Sequence, residues 1–80
     1  MERIAVTSSN IKSIGFQNNF DATELGTLEV EFRGGATYQY SNVPTRTHRE
    51  LMESESKGKF MHANVRDKFA TVRLEDVPAE

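Results

Sequence analysis

The residues of this chain best suited to chemistry are cations gathered around a glycine. Ser56-Lys57-Gly58-Lys59 opens a stretch that reads as a short helix, with Ser56 at the capping position. Two lysines at a helix N-terminus oppose the macrodipole, at about 0.3–1 kcal/mol each. A bound anion would offset that cost. First-turn amides, a glycine that admits close approach and two ammonium groups together suit a phosphate. Arg66 falls roughly two turns later, on the same side, and Lys68 extends the run. The competing reading is a solvated surface cluster in which Glu53 and Glu55 neutralise the lysines.

Tyr38 and Tyr40, one residue apart after Gly34-Gly35, offer a second chemistry: successive bases of a single strand stack on such rings. The alternative is ordinary core packing. His48 and His62 have no HExxH-like spacing and no carboxylate cluster nearby, so no metal site and no cofactor is expected. Ser8-Ser9 lacks a placed base or a GxSxG-type signature, and hydrogen bonding at the start of a strand accounts for it. With no acid, base and nucleophile set together, the chain is expected not to be an enzyme.

These groups need a scaffold. In TLEVEFR, Leu28, Val30 and Phe32 fall on one face and Glu29, Glu31 and Arg33 on the other, which marks an amphipathic strand. NIKSIGFQ suits a half-buried strand with Ile14 and Phe16 on one side, and NNFDATELG is a turn-rich connection. Gly34-Gly35 ends the first strand of a hairpin and ATYQYS runs back. A two-residue loop would place both tyrosines on the face of Glu29 and Glu31. A three-residue loop, or a bulge adding one residue, sets Phe32 opposite Tyr38 and Val30 opposite Tyr40. Two glycines favour the tight turn by only about 1 kcal/mol, whereas burying two aromatic rings contributes roughly 1.5–3 kcal/mol each. The odd register is therefore expected, with the rings against the core and their hydroxyls at its rim.

Pro44 ends that strand and opens a helix in which Thr45 caps and His48, Leu51 and Met52 point inward. The second helix runs from Ser56 to about Asp67, with Met61, Val65 and Phe69 as its stripe. ATVRL is a last strand with Val72 and Leu74 turned from solvent, and EDVPAE is a loose tail.

A chain of 80 residues is one small domain, with its core over about 6–74 and the tail at 75–80. It has no cysteine, so stability rests on packing, helped or not by a partner, and a reducing cytoplasm is the expected compartment. No apolar run is long enough for a bilayer, and the polar N-terminus does not resemble a signal peptide, so no membrane partner is expected. A net charge of -2 argues against a general polyanion coat. Yet acids dominate from Asp21 to Glu31 and cations the later stretch, where Lys57, Lys59, Arg66, Lys68 and Arg73 face only Asp67. Oligomeric state is not written in these residues.

From Val6 to about Phe69 the chain resembles the KTSC domain, a short module found at the C-terminus of some lysyl-tRNA synthetases and alone in bacteria and phages. The likeness rests on Ser8-Ser9 with Ile11, Ile14-Gly15-Phe16, the LEVEF strand, Tyr38-x-Tyr40, Val43-Pro44, Leu51, Ser56-x-Gly58 and Val65-Arg66, in that order. Phe16, His48, Phe60 and Phe69 stand where tyrosine is expected to be common, and His62 where asparagine is expected. The resemblance implies a small α+β module without aminoacylation machinery, for which the fusion context suggests RNA binding.

The expected architecture is α+β: an antiparallel sheet of three or four strands with two short helices on one face. The expected task is binding of RNA or another nucleic acid, through Lys57, Gly58, Lys59, Arg66 and Lys68 with Tyr38 and Tyr40 as stacking groups. The alternative is a protein-interaction or host-modulating module that uses the acidic strand face or a sheet edge.

Overall fold

The computed structural model describes residues 3–19 and 24–74. Five strands, β1 (Ile4–Ala5), β2 (Ile11–Asn18), β3 (Leu25–Phe32), β4 (Thr37–Pro44) and β5 (Thr71–Leu74), form an antiparallel meander in chain order. Two helices, α1 (Thr45–Glu53) and α2 (Lys57–Asn64), lie between β4 and β5 in sequence. The class is the expected α+β, with a larger sheet. The additional strand is β1, whose two residues pair with Ile14 and Ser13 and are too few to show an alternation of their own.

The tyrosine register has the expected parity with a different offset. Val30 pairs with Tyr38 and Leu28 with Tyr40, so the rings share the apolar face, but each sits two positions from its expected partner. Arg33-Gly34-Gly35 forms the loop, closed by the Phe32 amide donating to Ala36 O at 2.8 Å and the Gly35 amide to Phe32 O at 3.0 Å. Gly35 takes φ 100°, which a three-residue loop requires at that point.

Ile11 and Ile14 are both buried, although three residues apart in a strand of period two. The pairing of β2 with β3 shifts between Ile11 and Ser13, and that irregularity returns Ile11 to the core face while Lys12 stays exposed. One core results: Ile11, Ile14, Leu28, Val30, Tyr40 and Val43 from the sheet meet Leu51 of α1, Met61 of α2 and Val65 beyond it.

Three local expectations are corrected. Val72 is 57% exposed, because it pairs with Gln39 and so lies on the polar face; Thr71 and Arg73 share the tyrosine face instead. Thr45 is the first residue of α1 rather than its cap, and its hydroxyl donates to Glu24 O at 3.0 Å. The second helix stops at Asn64, and Asp67 lies beyond it at φ 64°, in a turn closed by the Lys68 amide donating to Val65 O at 3.0 Å. The tail at 75–80 lies outside the described residues.

Candidate functional site

Between α2 and the β3–β4–β5 end of the sheet lies an open cleft of about 690 Å³. Phe32, Tyr38 and Tyr40 supply its aromatic lining, and Thr71 of β5 adjoins them. Gly58, Met61 and His62 of α2, with Arg66 and Asp67 just beyond it, border the other side, and Asn10 stands at the end nearest Gly58. This volume falls in the range of small-molecule sites.

The two tyrosines differ. Tyr40 is 5% exposed and belongs to the core, whereas Tyr38 is half-buried, its ring edge-on to Phe32 with centroids 5.8 Å apart. Burial raises the Tyr40 phenol above its usual 10.0, with Tyr38 and Asp67 adding to the shift and Arg66 opposing it. At neutral pH Tyr40 is therefore a hydroxyl donor at the cleft, not an anion. Tyr38 is the more exposed of the two rings.

The candidate cations divide. Arg66 borders the cleft, and Arg73 projects on the same sheet face, directly opposite Tyr38. Lys59 and Lys68 are exposed outside the cleft lining. Lys57 turns back instead, and its ammonium donates to Ser54 O at 3.1 Å. Ser54 is the C-cap of α1, so the charge unfavourable to one helix is favourable to its neighbour. Gly58 has a packing reason too: a Cβ there would lie 2.8 Å from Asn10 Nδ2, so the glycine lets the first turn of α2 press against the loop before β2.

That loop is firmly held. Ser8 Oγ accepts from the amides of Asn10 and Ile11, both at 3.2 Å, while Arg33 Nε donates to Ser8 O at 2.7 Å and the Arg33 amide to Asn10 O at 2.9 Å. Asn10, His62, Asp67 and Thr71 are cleft residues that the sequence reading did not assign to a site. They meet only through tertiary contacts, so no local spacing identifies them.

On the opposite face the acidic strand is engaged by its neighbours. Glu29, 6% exposed, is paired with Arg3 and accepts from Gln39 Nε2 at 2.9 Å. Glu31 accepts from Ser13 Oγ at 2.9 Å and lies 3.9 Å from Lys12 Nζ. Among the described residues, ion pairs join Arg3 and Lys12 to these two carboxylates, and Arg66 takes part in none. Asp21, the head of the acidic stretch, lies outside the described residues.

The histidines are apart. His48 stacks on Phe16, centroids 4.6 Å apart and rings 7° from parallel, and burial lowers its pKa below 6.5. His62 is exposed at the cleft. Among the described residues no three His, Asp or Glu side chains are grouped to hold a metal, and no helix is long and apolar enough to cross a membrane.

Comparison with known proteins adds the following. Residues 7–69 match the model of the KTSC domain. The chain superposes on a crystal structure of a KTSC domain protein from Yersinia pestis with a TM-score of 0.81 and 37% identity, covering 92% of this chain and 97% of that one. It is 38% identical over 69 residues to a protein of Tsukamurella paurometabola, covering 86% of this chain and 96% of that relative. It is also 40% identical over 48 residues to a lysine–tRNA ligase of Trichormus variabilis, covering 60% of this chain and only 9% of the ligase.

Proposed function

The chain belongs to the KTSC domain family, and we propose from that premise that it is a non-catalytic module binding single-stranded RNA along the cleft between α2 and the sheet. The observation that carries this reading is the union in one cleft of an accessible aromatic ring, Tyr38, with a guanidinium, Arg66, that is in no ion pair among the described residues. Stacking on the ring holds a base without regard to its identity, and the guanidinium holds a phosphate; single-strand binders combine these two contacts. Arg73, on the same face as Tyr38, extends the positive side, and Lys68 lies beyond the turn. A related segment inside a lysine–tRNA ligase, an enzyme whose substrate is an RNA, supports RNA over other polyanions.

Fluorescence anisotropy with a labelled RNA hexamer tests the reading. Binding is expected in the range of roughly 1–100 μM, and about two phosphate contacts make it some sevenfold weaker between 50 and 200 mM salt. Tyr38→Ala is expected to weaken it by about 5- to 150-fold, the value of one stacked base. Affinity indifferent to salt, Arg66→Gln and Tyr38→Ala would reject the cleft as an RNA site. The protein-interaction alternative draws less support, because Glu29 and Glu31 are already engaged within the sheet. Protein partners retained from nuclease-treated lysate on the native chain, and lost on Glu31→Lys, would favour it.

A further inference from the structure

We infer that the cleft discriminates among bases, taking those with an exocyclic amino group in preference to uracil, through acceptor atoms of Asn10 and Asp67. The inference rests on the RNA reading and names the specificity of that same site. Asn10 is held by Ser8 Oγ and by both Arg33 contacts to its loop, so its backbone has little freedom. Its amide nitrogen lies against Gly58, 2.8 Å from the position a Cβ would take. Asn10 lines the cleft, and its side-chain carbonyl oxygen is an acceptor. Asp67, bordering the same cleft at the far end of α2, is an acceptor with no donor capacity when ionised. It is held in the left-handed region by the turn from Val65 to Lys68, a conformation that Asp and Asn adopt more readily than other side chains.

An amino group on cytosine, adenine or guanine donates to such acceptors. Uracil presents carbonyl oxygens at both exocyclic positions, which repel a carboxylate, and its one edge donor, N3–H, lies between those two oxygens. Arg66 and Arg73 address phosphate, which every base shares, so they add affinity without choice.

Cytosine and uracil are both single rings of similar area, so comparing them removes stacking strength from the test. With (rC)6 and (rU)6 at one salt concentration near pH 7.5, the native chain is expected to bind the cytosine strand about tenfold more tightly. Asp67→Asn keeps the backbone conformation and adds a donor that uracil accepts, so the ratio is expected to fall below about threefold while (rC)6 affinity changes little. Gly58→Ala, whose Cβ would displace the Asn10 amide, is expected to narrow the ratio as well. Arg66→Gln should weaken both strands equally and leave the ratio intact. Equal binding of the two strands by the native chain, or a ratio unmoved by Asp67→Asn and Gly58→Ala together, overturns this inference while the RNA reading stands. Failure to bind either strand defeats both.

Discussion

Phe16 is held between two unlike neighbours. One face lies parallel to the His48 ring, and its Cζ is 2.5 Å from where a Cβ on Gly26 would stand. Burial favours a neutral imidazole there, since protonation would place a charge in a partly buried, apolar setting. Because the folded pKa of His48 is depressed, the unfolded chain takes up the proton first as pH falls. The resulting stability is complete above about 6.5 and declines as pH drops through the native value, below which both states are protonated and the loss stops. Urea midpoints between pH 8 and pH 5 should therefore fall on the acid side in the native chain. In His48→Phe that part of the decline should vanish; an unchanged profile would show that the ring does not carry it.

At the scale of the elements, β3 packs closely on β2 at Gly26. A methyl at position 26 would meet Gln17 O and the Phe16 ring, both at 2.5 Å, and backbone cannot yield as a side-chain tip can. Gly26→Ala is thus expected to destabilise the fold by about 1–3 kcal/mol, as overpacking does. Thermal melting should register this as a drop of several degrees at the least, because about 1 kcal/mol moves the midpoint of a domain this size by roughly 4–8 °C. A midpoint within a degree of the parent would contradict the packing described.

Which elements were legible in the residues follows from the range of the interactions that shape them. The β3 strand announces itself, since Leu28, Val30 and Phe32 alternate with charge and the pairing keeps that alternation. The inward parity of Tyr38 and Tyr40 was also readable, as burying aromatic rings outweighs the turn preference of two glycines. Their partners were not, because Ala36 rather than Thr37 closes the loop, and loop geometry sets the offset. Ile11 and Ile14 violate period two in sequence, and only the irregular pairing at Lys12 reconciles them. Val72 was misplaced for a related reason: the side a short edge strand shows depends on which residue of β4 it meets. In the cleft, Tyr38, Tyr40, Gly58 and Arg66 were identifiable by type, while Asn10 and Asp67 belong to it only because α2 spans the distance between their loops.

Taken as one molecule, the domain has a single core to which three strands and both helices contribute, while β1 and β5 contribute no buried hydrophobic residue. Stability is expected to be graded accordingly. Native-state hydrogen exchange should find the amides of β3, flanked by β2 and β4, opening only with global unfolding, and those of β5 opening earlier. Uniform protection across the five strands would mean that the edges are tied down more firmly than their exposure indicates.

The meander order has a mechanical corollary for a longer polypeptide that carries this module. Because β1 and β5 are opposite margins of one sheet and run the same way, the chain comes in at one side and departs at the other. Four inter-strand spacings, about 19 Å, separate them across the sheet. A unit threaded that way cannot readily be spliced into a tight surface loop, which needs neighbouring attachment points. It suits serial arrangement instead, appended like a bead whose points of attachment sit on opposite margins of the sheet.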